Sequence, residues 1–141
     1  MAPKSYSLAF DGYWREPNIS GIPDKSGVYC VYACTHNVTE NTVSIRLLIY
    51  IGEAENANER IATHEKGPDW REHPRQGEEL CFSFAPFGNL DRQRVEAALI
   101  FHHKPPENEE YRDSFSYDQT TISTSGRNAL LSPMFTVQCT E

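Results

Sequence analysis

An α+β fold is predicted for this chain: a small three-stranded antiparallel sheet flanked by helices, with additions at the N- and C-terminal ends. Three observations predict it. Residues 44–51 alternate in the period of two that a strand imposes on its faces. The periodic segments follow in the order strand–strand–helix–strand–helix, which suits a small antiparallel sheet with helices against it. A chain of 141 residues, 38% of them hydrophobic, is one domain with enough apolar side chains for a core.

Taken in order, residues 1–25 form a polar and aromatic extension, in which Phe10, Tyr13 and Trp14 are expected to pack on the domain. Ile22 to Gly27 reads as a turn entering a strand. Val28 to Cys34 is rich in β-branched, aromatic and cysteine residues and reads as that strand. In Ser44–Ile51, Ile45, Leu47, Ile49 and Ile51 are expected on one face, and Arg46, Leu48 and Tyr50 on the other. The polar stretch Thr35–Asn41 makes the two strands a hairpin, with Tyr29 and Tyr50 near its open end. Gly52 ends the second strand. From Asn56 to Lys66 the spacing becomes helical, with Ala57, Ile61 and Glu65 on one face, Arg60 and His64 beside it, and Gly67-Pro68 as the stop. Leu80–Ala85 alternates again as a third strand. Asn89 or Asp91 can cap a second helix, which runs to about His103 with Val95, Leu99 and His102 on one stripe. Pro105 cannot sit inside it. In residues 109–141, Ser125-Gly126-Arg127-Asn128 is a turn and Phe135–Val137 a candidate strand.

Composition narrows the function classes. No apolar run approaches the ~20 residues that span a bilayer, and Met1–Tyr6 holds no apolar stretch of signal-peptide length. A cytoplasmic protein without a membrane partner is expected. The four cysteines form no CxxC pair, so reduced thiols are expected ahead of a disulfide framework or a zinc site. The net charge of −7 runs against phosphate binding. Arg60, Lys66, Arg71, Arg75, Arg92 and Arg94, all in the middle third, could still line one groove.

One ordered set of short signals points further. Gly27-Val28-Tyr29 lies in the first strand and Tyr50-Ile51-Gly52 closes the second. Arg60 and His64 follow, four apart. Glu96 lies within the second helix, and Lys104-Pro105-Pro106-Glu107-Asn108 follows where that helix stops. This series, over residues 26–108, resembles the GIY-YIG nuclease family. The resemblance implies a phosphodiester hydrolase using one divalent ion, Mg²⁺ or Mn²⁺, held by Glu96. It implies that Arg60 stabilises the phosphate, Tyr29 helps activate water as general base, Tyr50 positions, and Asn108 holds the tyrosine-bearing loop or the phosphate.

Each residue also has an ordinary reading. Glu96 could be a solvated helix carboxylate, although a hard oxygen ligand suits Mg²⁺. Arg60 offers a planar fork matched to phosphate oxygens, or a surface pair with Asn56 or His64. His64 could orient a tyrosine or relay a proton near neutral pH. The tyrosines could simply pack. Asn128 rivals Asn108, and His102-His103 with Cys81 or His73 could in principle ligate zinc, although no spacing resembles a zinc motif.

The chain departs from the family pattern in reading Gly-Val-Tyr for Gly-Ile-Tyr, in a longer gap between the tyrosine motifs, and in having no room for a separate DNA-binding domain. Substrate choice is then left to the two additions, a homo-oligomer or a protein partner. The leading expectation is a stand-alone endonuclease, on DNA ahead of RNA. The alternatives are a catalytically silent domain that binds nucleic acid or a protein, and a resemblance of fold alone.

Overall fold

Twelve residues of the expected N-terminal extension form the strand that organises the sheet. In the computed structural model, which describes residues 2–88 and 90–141, β1 (Lys4–Arg15) alternates Tyr6, Leu8 and Phe10, and buries the last two. Its first half pairs in parallel with β5 (Thr120–Gly126). Its second half pairs antiparallel with β4 (Glu79–Pro86), with a shift of register between Gly12 and Trp14. With β2 (Gly27–Asn37), β3 (Thr42–Ala54) and β6 (Met134–Val137), the order across the sheet is β3-β2-β4-β1-β5-β6.

This six-stranded mixed sheet curls into a half-barrel with few helices. It overturns the expected small three-stranded antiparallel sheet flanked by helices. The three expected strands lie within β2, β3 and β4, but β1 pairs along the free edge of β4 and brings β5 and β6 with it. An edge of unpaired backbone groups invites such pairing.

The β2–β3 hairpin forms as expected, yet its alternation does not hold. Register shifts at Val31/Tyr32 and Ala33/Cys34 insert extra residues into β3. Such bulges turn successive side chains out of strict alternation. Leu48 and Ile51 therefore pack in the core on the α3 face with Ile45 beside them, while Leu47 and Ile49 belong to the opposite face.

α1 (Ala57–Ala62) is capped by Asn56, whose side chain accepts the Glu59 N–H at 3.1 Å. It ends earlier than predicted, so His64 lies beyond the helix and not on a face shared with Arg60. Gly67-Pro68 opens the short α2 (Gly67–Trp70) instead of ending a long helix, since proline is tolerated in a first turn, where its missing N–H has no partner. α3 (Arg92–His103) matches its prediction and ends at Lys104, in a left-handed conformation just before Pro105. Asp91 stands at the N-cap position without a capping bond and pairs with Lys4 at 3.2 Å. The other candidate cap, Asn89, lies outside the described residues. Phe135–Val137 falls within β6 as expected.

Two apolar clusters flank the sheet. Val28, Cys30 and Tyr32 of β2 pack with Leu8, Phe10 and the α3 residues Val95 and Leu99. Tyr29, Val31 and Ala33 pack on the other face with Ile61 and Trp70. Among the described residues, no helix is long and apolar enough to cross a membrane.

Candidate functional site

The β2–β3 ladder sets Tyr29 opposite Gly52 and Val31 opposite Tyr50. Directly opposed residues share a face, so both tyrosines point to the α1 side, their ring centroids 6.3 Å apart. Tyr29 is fully buried and Tyr50 partly exposed. The two motif glycines have steric reasons. A Cβ at Gly52 would come closer than 3.0 Å to the Tyr29 ring, and one at Gly27 would collide with the Ala85 carbonyl and the Phe84 ring.

The second tyrosine motif lies on the edge strand and is held from outside. Asn108 is buried. Its Oδ1 accepts the Ile51 N–H and its Nδ2 donates to the Ile51 carbonyl, both at 2.9 Å. The Glu107 N–H adds a bond to the Ile49 carbonyl at 3.0 Å. The segment after α3 thus completes the edge of β3 like a short strand, and Pro105 directs the chain there by ending the helix.

α1 presents Arg60, which donates to Glu65 at 3.1 Å in an exposed ion pair. His64 is buried. Its ring packs on Trp70 at 4.6 Å and edge-on against Tyr50 at 5.2 Å. Its Nδ1 accepts the Lys66 N–H at 3.0 Å, so the neutral ring carries its proton on Nε2. Burial, then the Arg60 charge, pushes the imidazole down to about 4. His64 therefore remains neutral at pH 7, and its contacts make it a support for Tyr50 and not a proton relay.

α3 brings Glu96 to the same edge. Burial pushes its carboxyl up to about 8, with further raising by Glu53 and Glu110. Arg92, one turn earlier on α3, is ion-paired with Glu53 and donates to Ser26 Oγ at 2.9 Å. The phenol of Tyr29 is raised well above its ordinary range, first by burial and then by Tyr50. Arg60 acts in the opposite direction but is outweighed. Tyr50 is likewise raised to about 12 by burial, then by Glu96. This runs against the expected role of Tyr29 as general base: loss of solvation opposes formation of phenolate more strongly than one partly exposed guanidinium favours it.

The structure thus brings Tyr29, Tyr50, Arg60, His64, Glu96 and Asn108 to one region. Glu53 and Glu110 join them without having been expected there, and Arg92, expected only as one of six groove-lining basic residues, joins them too. Glu53 directly follows Gly52, and Arg92 precedes Glu96 by the i, i+4 spacing of neighbours on a helix face; those were the available signals.

Other candidates lie elsewhere. Arg94 is buried and donates to Thr120 Oγ1 at 2.9 Å, so the six basic residues do not line one groove. Asn128 donates to Thr124 Oγ1. The residues of the zinc alternative have separate partners. His73 pairs with Glu107 at 2.6 Å. His102 stacks on Phe135, and both ring nitrogens of His103 are engaged by Leu99 and Ser132. Cys81 is buried in the sheet.

Comparison of the chain with protein-family models, with curated proteins and with solved structures finds no match.

Proposed function

We propose that this protein is a metal-dependent endonuclease that hydrolyses phosphodiester bonds in nucleic acid, DNA ahead of RNA, as its motif resemblance to GIY-YIG nucleases implies. One observation carries the reading. Tyr50 and Glu53 of β3, Arg60 of α1 and Glu96 of α3 gather about Tyr29 of β2, and all four act electrostatically on it. Packing alone does not require a guanidinium, two carboxylates and two phenols to converge at a sheet edge.

The donor set fits a divalent cation. Glu96 is a partly buried carboxyl with Glu53 and Glu110 near it, and a hard cation would displace its proton and take its oxygens as ligands. When bound there by Glu96, Mg²⁺ or Mn²⁺ would polarise a phosphoryl oxygen and stabilise the charge that develops in the transition state. Arg60 can exchange its exposed partner Glu65 for a phosphate, because such surface pairs are weak. Tyr29, protonated at neutral pH, orients the attacking water by hydrogen bonding in place of the expected role as free base. Tyr50, braced by His64 and Trp70, limits where the substrate can lie. Asn108 fixes the strand from which Tyr50 projects. In the net reaction water adds to phosphorus, the bond to the leaving oxygen breaks, and one water proton ends on that oxygen.

A second reading, a catalytically silent domain that binds nucleic acid or a protein partner, has its own support. Arg60, Lys66, Arg71 and Arg92 face Glu65, Glu109, Glu16 and Glu53, which leaves little unbalanced positive charge for a phosphate backbone. Cleavage of plasmid and branched DNA by wild type and Glu96→Ala, with Mg²⁺, Mn²⁺ or EDTA, separates the two. Metal-dependent nicking lost in Glu96→Ala supports the enzyme. Salt-sensitive binding without nicking supports the silent domain.

A further inference from the structure

The turn of the β2–β3 hairpin, the turn after β5 and the end of β1 meet away from Tyr29 and Tyr50 and line a cavity of about 430 Å³. β1 contributes Arg15 just beyond its register shift against β4. The hairpin contributes His36, Asn41 and Thr42, with Asn41 in a left-handed turn conformation at φ 52°. The turn after β5 contributes Arg127, whose N–H bonds to the Phe10 carbonyl at 2.9 Å and ties this turn to β1. Asn18 closes the rim.

The chemistry of this wall is one-sided. No carboxylate lines it, in a chain with 20 acidic residues against 13 lysines and arginines. Arg15 is fixed by Glu79 at 2.9 Å. Arg127 is exposed and makes no side-chain hydrogen bond or ion pair among the described residues, so its planar fork is available to a ligand. Asn41 accepts or shares a bond with His36 through Oδ1 at 3.2 Å, which leaves its two amide hydrogens for another acceptor. The amide of Asn18 and the hydroxyl of Thr42 complete a ring of donors. Two guanidinium groups and several neutral donors around one cavity call for an anion with acceptors in several directions. A phosphate group meets that need, and its oxygens match the geometry of a guanidinium fork. The volume also admits what a phosphate is attached to, such as a sugar, since cavities of this size hold small organic ligands.

We propose that this cavity is a binding site for a phosphate group, carried by a nucleic-acid backbone or by a free nucleotide. It is separate from the candidate catalytic edge. Tyr29 and His36 stand seven residues apart in one strand, roughly 23 Å at the rise of a β-strand, so a single nucleotide cannot occupy both. A nucleic-acid strand could reach both, and would then be gripped several nucleotides from the bond it presents to Glu96. The site does not depend on the chain being a nuclease.

The test is a titration of isotope-labelled protein with inorganic phosphate, with a nucleoside monophosphate and with a short DNA duplex, followed by NMR at Arg127, Asn41 and His36. Saturable shifts at these residues with phosphate, weakened about tenfold or more in Arg127→Glu, are expected. If the duplex displaces phosphate from these signals, the backbone is the source. If only the mononucleotide does, a free nucleotide is. Arg127→Ala, which removes a side chain without structural partners, serves if Arg127→Glu perturbs folding. The proposal is overturned if none of the three ligands moves these signals, or if the Arg127 variants bind as wild type does.

Discussion

Gly52 lies directly opposite Tyr29 in the β2–β3 ladder, and the phenol ring fills the volume that any side chain at position 52 would need. The two motifs are therefore one steric unit: the glycine of the second exists to seat the tyrosine of the first. Gly52→Ala should destabilise the fold by about 1–3 kcal/mol, the usual range for overpacking, and should abolish any cleavage by displacing Tyr29. Urea unfolding checks the first part. In a double-mutant cycle with Tyr29→Leu the two losses should sum to more than the double variant shows; strict additivity would mean that the ring is not what excludes the methyl group.

Asn108 is expected to matter for the edge strand more than for substrate contact. Asn108→Ala leaves the Ile51 N–H and carbonyl without their partner and should lower stability by about 1–3 kcal/mol. The Ile51 amide should exchange with solvent faster while amides of β4 keep their protection. Unchanged exchange at Ile51 would refute the role of Asn108 as a strand mimic.

Glu96 should link metal to both stability and activity. Mg²⁺ should raise the Tm of wild type and leave that of Glu96→Gln unchanged, because a ligand that binds only the folded state stabilises it. Cleavage should be lost in the same variant. A Tm increase of equal size in both proteins would place the ion elsewhere.

His64 should give stability a pH dependence of defined sign. Its folded-state pKa of about 4 lies below the ordinary 6.5, so between those values the unfolded chain binds the proton more readily. Stability is therefore greatest above pH 6.5 and falls as pH drops towards 4. The difference in unfolding free energy between wild type and His64→Phe should change across that window and level off outside it. A constant difference from pH 4 to 7 would show that the ring titrates normally in the fold.

Arg60 is expected to act by shape as well as charge. Arg60→Lys keeps the charge but loses the fork, and should reduce cleavage on the order of 10²-fold, with little change in Tm because its structural partner is an exposed glutamate. Full activity in Arg60→Lys would remove Arg60 from contact with the phosphate.

What the sequence reveals and conceals follows from the range of the interactions. Pro105 as a stop and the helix α3 before it are local signals, and they read correctly. So do the hairpin and the approach of Tyr29 to Tyr50, because a polar turn joins consecutive strands. The alternation of Tyr6, Leu8 and Phe10 also marks a strand, but its partners come from β4 and β5, and nothing in residues 4–15 names them. β5, with the sequence Thr-Thr-Ile-Ser-Thr-Ser-Gly, has a single large apolar side chain and little pattern of its own. The bulges of β3 arise only in pairing with β2, so the facing of Leu48 and Ile49 could not be read from β3 alone. In the candidate site, the motif residues were legible by type and order. The high pKa of Tyr29 was not, because it comes from burial beneath Gly52 and Tyr50.

β1 pairs Leu8 with Thr124 in one half and Trp14 with Phe82 in the other, so a strand from the start of the chain joins one segment from its middle to another from near its end. Such a closure forfeits more chain entropy than a hairpin does, and contacts of long sequence separation slow folding. The β2–β3 hairpin can form from neighbouring residues, whereas the half-barrel must wait for residues 120–126 to reach β1. The tyrosine pair would then assemble early in folding, and the cavity around Arg15 and Arg127 only at its completion.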